Sequence, residues 1–62
     1  MITNELADDV LDRLVDMPQD DQTMALRNAK IIMENWDEIS ELLTDRAIVK
    51  EYYEICAILR DI

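Results

Sequence analysis

The chain has 62 residues, with 15 acidic side chains against six basic ones and a formal net charge of −9 at pH 7. It contains no glycine and no histidine, which excludes a phosphate-binding glycine loop, an EF-hand loop, a histidine-ligated metal site and a Ser–His or Cys–His nucleophile. A chain of this length buries only about 60% of its unfolded surface, so we expect one domain over residues 1–62 with a thin core.

The first predicted helix covers residues 4–17 and divides into an apolar and an acidic half when residues are placed 100° apart. Thr3 or Asn4 is a suitable N-cap, and Pro18 is expected to end the helix or redirect the chain. The apolar half contains Leu6, Ala7, Val10, Leu11, Leu14, Val15 and Met17.

The opposite half of this helix forms what we term the acidic ribbon, which consists of Glu5, Asp8, Asp9, Asp12 and Asp16. Like charges four residues apart destabilise a helix by roughly 0.2–0.5 kcal/mol per pair, and a cationic partner is one candidate for offsetting this cost. One interpretation is a basic protein partner, and another is mimicry of a nucleic-acid backbone. The alternative is a solvated face that keeps a small apolar protein soluble.

The second predicted helix covers residues 20–43, with Asp20 or Asp21 as its cap. Its apolar positions step by four and three in a heptad-like pattern, formed by Ala25, Ala29, Ile32, Trp36, Ile39 and Leu43. The run from Asn35 to Glu38 has the Asn-x-x-Glu spacing of a helix cap. The apolar pattern keeps its phase through this run, and we therefore predict an uninterrupted helix.

The third predicted helix covers residues 45–61, after a corner near Thr44 that would serve as its N-cap. Its apolar face is formed by Ile48, Tyr52, Ile55 and Leu59. Cys56 is expected to be an inert thiol on this apolar side, and Ile58 to be exposed on the charged side. The predicted fold is therefore all-α, a small antiparallel three-helix bundle with a long middle helix.

The apolar arcs of the first two helices are wider than the stripe of a little over 100° that one buried face needs. We therefore expect the bundle to form a homodimer or to dock on a partner. The residues predicted for self-association are Asn28, Ile32, Asn35, Trp36 and Ile39. The two asparagines can instead lie at the rim and bind water. Tyr53, at the edge of its apolar face, is predicted to contact a partner.

Several further features bear on location and partners. No run approaches the 18 or so apolar residues of a membrane span, and residues 1–5 lack the start of a secretory signal. The single cysteine permits no internal disulfide and suggests a reducing compartment, so we predict a cytoplasmic protein.

A charge of −9 opposes direct binding to nucleic acid and to anionic membranes. No cofactor, metal or catalytic residue is predicted.

The sequence favours a small acidic, non-catalytic interaction protein. The first hypothesis is an inhibitor or adaptor that binds a basic surface of another protein with the acidic ribbon and Tyr53. This hypothesis compares the chain, as a class, with the small inhibitors of nucleic-acid enzymes or defence systems that phages and plasmids encode. Nucleic-acid mimicry is one mode of binding for such an inhibitor. The alternative is a structural dimerisation module or a small subunit of a larger assembly.

Overall fold

The computed structural model describes residues 2–62, and this part of the chain forms four α-helices without a β-strand. The helices are α1 (Asn4–Val15), α2 (Gln19–Ile32), α3 (Trp36–Val49) and α4 (Tyr53–Asp61). The prediction of an all-α fold is confirmed. The prediction of three helices is wrong, because both the second and the third predicted helix are interrupted.

The start of α1 and the turn into α2 follow from local chemistry. The Thr3 hydroxyl caps α1 by accepting a hydrogen bond from the Leu6 amide at 3.2 Å. Pro18 immediately precedes α2 and takes its N-cap position, with an extended backbone (φ −56°, ψ 149°) and a carbonyl that accepts a hydrogen bond from the Gln22 amide at 3.0 Å. Asp20 and Asp21 are not the caps; they lie in the first turn of α2, where acids suit the helix dipole.

The predicted middle helix is broken at residues 33–35. Met33 is extended, Glu34 and Asn35 form a turn, and Asn35 is the N-cap of α3 without a side-chain capping bond. An uninterrupted helix of 24 residues would be about 36 Å long, whereas the longest dimension of the molecule is 26 Å. Folding back at Asn35 lets two shorter helices cover one core.

The corner predicted at Thr44 lies instead at residues 50–52. Thr44 is inside α3, and its hydroxyl donates to the Ser40 carbonyl at 2.8 Å. At the end of α3 the Tyr52 amide donates to the Ala47 carbonyl at 2.8 Å, and the Glu51 amide donates to the Ile48 carbonyl at 3.0 Å. These two bonds form a Schellman motif, with Glu51 in the position usually held by glycine, at φ 63°.

Replacing Glu51 by glycine is expected to raise the free energy of unfolding by up to about 1 kcal/mol. A side chain with a Cβ pays roughly 1–2 kcal/mol in the left-handed region, and part of that gain is offset by the greater freedom of glycine in the unfolded chain. Urea unfolding followed by circular dichroism measures the change. The matched control, Glu41→Gly inside α3, should lose about 1 kcal/mol; equal losses at both positions would contradict the assignment.

The core is shared by all four helices, because α1 packs on α3, α3 on α4, and α4 on α2. Ile58 is buried with Ile55 and Leu59, so the expectation that Ile58 is exposed is wrong. Ile48, predicted on the apolar face, is exposed because it lies before the true corner. The buried apolar residues are Ala7, Leu11, Leu14, Leu26, Trp36, Ile39, Leu43, Ala47, Ile55, Ile58 and Leu59.

Candidate interaction surfaces

The centre of the acidic ribbon is bound within the chain itself. Asp8 on α1 accepts two hydrogen bonds from the Arg46 guanidinium on α3, at 2.8 Å from Nε and 2.9 Å from the terminal nitrogen. This two-pronged geometry is the strongest form of a carboxylate–arginine pair. A cation that offsets the negative charge of the acidic ribbon at Asp8 is therefore supplied by α3.

Asp12, one turn further along α1, is held in the same way at the corner after α3. Its carboxylate lies 3.1 Å from the Lys50 ammonium and accepts a hydrogen bond from the Tyr52 hydroxyl at 2.9 Å. The Lys50 ammonium also lies 5.7 Å from the centre of the Tyr52 ring, within the range of a cation–π contact. Asp12 therefore connects α1 to the Schellman motif at the end of α3.

These contacts shift the ionisation of the groups involved. The hydrogen bond from Arg46 holds the pKa of the Asp8 carboxyl below its usual 3.8, and hydrogen bonds from Lys50 and then Tyr52 do the same for the pKa of Asp12. The hydrogen bond to Asp12 raises the pKa of Lys50 and that of Tyr52. The carboxylates therefore stay charged to lower pH in the folded chain than in the unfolded chain.

The wild-type protein is expected to lose part of its stability as pH falls below about 4. A carboxyl whose pKa is lowered by folding contributes stability above its unfolded pKa, and that contribution disappears as pH falls through the folded pKa. The double variant Asp8→Asn, Asp12→Asn should therefore show a shallower acid loss, measured as urea midpoints between pH 7 and pH 2.5. The control Glu41→Gln, Asp45→Asn removes two exposed charges that make no ion pair among residues 2–62 and should keep the wild-type slope; equal flattening in both variants would contradict the assignment.

The remaining residues predicted for partner binding are at the surface. Asp9 lies 3.3 Å from Arg13 in an exposed pair one turn away on α1, which is worth little. Glu5, Asp16 and Tyr53 are exposed. The structure therefore does not present the acidic ribbon as one free surface, because its two central residues face α3.

A second acidic surface, which the sequence reading missed, begins in the turn before α3 and runs along the side of α3 that points away from the core. We term it the acidic ridge: Glu34, Asp37, Glu38, Glu41 and Asp45, all exposed. No lysine or arginine occurs between residues 31 and 45. Ile48 and Val49, three and four residues after Asp45, are also exposed, and this spacing places them beside Asp45. In the sequence, the spacing of these acids by three and four residues was the signal that could have identified the acidic ridge.

The outer face of α2 combines exposed apolar side chains with polar and charged ones, and the opposite face buries Gln22 and Leu26. Met24, Ile31 and Ile32 are 64%, 81% and 77% exposed. Two shallow depressions meet at Met24 and Asn28 on this face. One of them reaches Met17 and the other reaches Ile31, so the face is continuous along the helix.

The residues predicted for self-association fall into two groups. Asn28, Ile32 and Asn35 are exposed. Trp36 and Ile39 are buried in the core of the chain itself, so they are not available to a second copy while α3 keeps this packing.

A small cavity of about 170 Å³ lies beside the corner between α3 and α4, lined in part by Gln22, Tyr52 and Tyr53. The Gln22 side chain is 4% exposed, and its amide group donates to the carbonyls of Leu14 and Met17 at 2.8 and 3.1 Å. Gln22 therefore closes the end of α1. Cys56, predicted to be inert, is half-buried, and its thiol donates weakly to the Thr44 carbonyl.

Comparison of the chain with protein-family models, with curated protein sequences and with solved structures returns no match. Among residues 2–62, no group of three or more acidic or cysteine side chains is arranged to hold a metal ion. Within the same residues, no helix has the length and apolar composition needed to cross a membrane.

Proposed function

We propose that the chain is a small acidic, non-catalytic interaction protein, an inhibitor or adaptor that binds a basic surface of another protein. The observation that carries this proposal is the outward side of α3, where the acidic ridge continues into the exposed Ile48 and Val49. Charged groups of one sign steer a basic partner into place, and apolar contacts beside them slow its release.

The internal ion pairs explain why the ridge is a better candidate than the acidic ribbon. Asp8 and Asp12 are occupied by Arg46 and Lys50, and a partner would have to displace those cations. The ridge residues make no ion pair among residues 2–62, where the pairs are Arg13–Asp9, Arg46–Asp8, Lys50–Asp12 and Arg60–Asp61. Their charge is free to act on another molecule.

The test compares two triple variants of equal charge in affinity capture from the lysate of the source cell. One reverses the ridge residues Glu38, Glu41 and Asp45 to lysine, and the other reverses the α1 residues Glu5, Asp9 and Asp16. Each reversal adds two charges to the wild-type −9, so both variants carry −3. Circular dichroism checks that each variant remains helical.

The proposal expects a basic protein that the wild type retains at low salt, that the ridge variant loses, and that the α1 variant keeps. Salt near 1 M should release it, because the Debye length then falls to about 3 Å. Loss from the α1 variant alone would move the site to the acidic ribbon. Equal retention by all three proteins would show that the acids serve only solubility and would refute the proposal.

A further inference from the structure

We propose that the outer face of α2 binds a second copy of this chain, with the two α2 helices antiparallel and Met24 at the two-fold axis. This inference is independent of the basic partner proposed for the acidic ridge, because it concerns a different helix. It rests on the charge distribution along α2 and on the spacing of its exposed apolar residues.

The first observation is that α2 is the neutral helix of a strongly acidic chain. It contains two acids, Asp20 and Asp21, and two bases, Arg27 and Lys30, so its net charge is zero while the whole chain carries −9. Two copies that meet through α1 or through α3 would bring acidic surfaces together. Contact through α2 avoids that repulsion and buries the most exposed isoleucines of the chain, Ile31 and Ile32.

The second observation is that Met24 and Ile31 are spaced by seven residues along α2, and that Met17, in the turn before α2, lines the same surface next to Met24. Seven residues span about 10.5 Å of helix, two turns. A two-fold axis through Met24 sets Met24 against its own copy and sets Ile31 of each chain towards the turn of the other chain that contains Met17. The apolar row is therefore complementary to itself when the helices are antiparallel.

The charges along the same face select the antiparallel arrangement. Asp20 lies four residues before Met24, and Arg27 lies three residues after it. An antiparallel pair brings Asp20 of one copy beside Arg27 of the other, whereas a parallel pair brings like charges together. Arg27 forms no ion pair with another side chain among residues 2–62, so its guanidinium is available for this contact.

A single pair of short helices buries less than the 1,200 Å² or more of a stable interface, so we expect a reversible dimer rather than a permanent one. Sedimentation equilibrium across roughly 10 μM to 1 mM should show the average mass rising from 7.3 kDa towards twice that value. Met24→Asp should raise the dissociation constant at least about tenfold. Leu6→Asp, an equal charge change at a half-exposed apolar residue of α1, is the matched control and should leave the constant unchanged.

A charge exchange tests the pairing across the axis. Asp20→Arg and Arg27→Asp should each weaken the dimer, and the double variant should restore it. Failure of the double variant to recover would overturn the proposed pairing.

Cysteine cross-linking tests the direction of the helices, in a Cys56→Ser background so that the introduced thiol is the only one. Met24→Cys should form a disulfide dimer under mild oxidation, since residues at the axis lie within disulfide reach. Ile31→Cys should not, because its two copies are then about 21 Å apart along the helices. Equal cross-linking at both positions would show a parallel pair, and a constant monomer mass at all concentrations would overturn the proposal altogether.

Discussion

Replacing Leu11 by alanine is expected to lower the free energy of unfolding by about 2–5 kcal/mol. Leu11 is one of the two largest side chains that are fully buried, and it lies on α1 where that helix joins the shared core. A domain of this length has a total stability of roughly 3–9 kcal/mol, so this loss is a large fraction of the total. Urea unfolding followed by circular dichroism, with Trp36 fluorescence as a second probe, measures the loss.

Leu6→Ala is the matched control, because Leu6 lies on the same helix and is 51% exposed. Removing the same atoms from a half-exposed site forfeits less transfer energy and leaves no enclosed cavity, so we expect a loss below about 1 kcal/mol. Similar losses at the two positions would mean that α1 does not pack as described.

The first helix is the part of the fold that the sequence predicted well. Thr3 is a recognisable cap, Pro18 marks the next turn, and the apolar half of α1 contains the residues that are buried, Ala7, Leu11 and Leu14. These features depend on interactions within a few residues, so a pattern read along the chain captures them. The C-terminal bound, residue 17 in place of Val15, was misplaced, and Leu6, Val15 and Met17 of the apolar half are exposed.

The break at residues 33–35 could not be predicted from the apolar pattern. Ala25 and Ile32 occupied the expected heptad-like face, but both are exposed, while α2 buries Gln22 and Leu26 instead. Two short helices with different buried faces happened to give one continuous phase across their turn. The Asn-x-x-Glu spacing at Asn35 correctly indicated the start of a helix. The continuous phase of the apolar residues favoured an uninterrupted helix instead.

The corner at residues 50–52 was missed for a different reason. A Schellman motif is normally marked by glycine, and this chain has none. Glu51 adopts the left-handed conformation because the hydrogen bonds of Tyr52 and Glu51 to α3 compensate for it. Nothing in the identity of residue 51 signals a helix end.

The candidate surfaces likewise include features that the sequence shows and features that only the packed fold shows. The acidic ribbon was visible from spacing, but its cations, Arg46 and Lys50, lie 38 residues away from Asp8 and Asp12 and reach them only after α1 packs on α3. A side chain that is paired across the fold cannot be told from a free one by its position on a helical wheel. The acids of the ridge are spaced by three and four residues in the sequence, but only the true helix bounds place them on one outward side, and the same bounds define the exposed face of α2.

Replacing Gln22 by methionine is expected to cost about 1–3 kcal/mol, although methionine fills similar space and is more apolar. The Gln22 amide donates to the carbonyls of Leu14 and Met17, which end α1 and begin the turn into α2. The Leu14 carbonyl keeps the Met17 amide as a donor at 2.9 Å, so the cost is that of two lost side-chain hydrogen bonds, about 0.5–1.5 kcal/mol each. The Gln22 Oε1 atom, buried and without a partner among residues 2–62, disappears in the same variant and offsets part of this loss.

Gln22→Glu separates the lost hydrogen bonds from a general packing effect, because its cost should depend on pH. The carboxylate would be buried against two carbonyl oxygens, so we expect a loss of roughly 3 kcal/mol or more relative to wild type at pH 7. Burial raises the pKa of such a carboxyl, and its protonated form can donate to the Leu14 carbonyl. The difference from wild type should therefore shrink as pH falls from 7 to 4, in urea unfolding of both proteins at each pH. Gln19→Glu, at the exposed first position of α2, should differ little from wild type at either pH; a pH-independent loss in Gln22→Glu would show that residue 22 acts through packing alone.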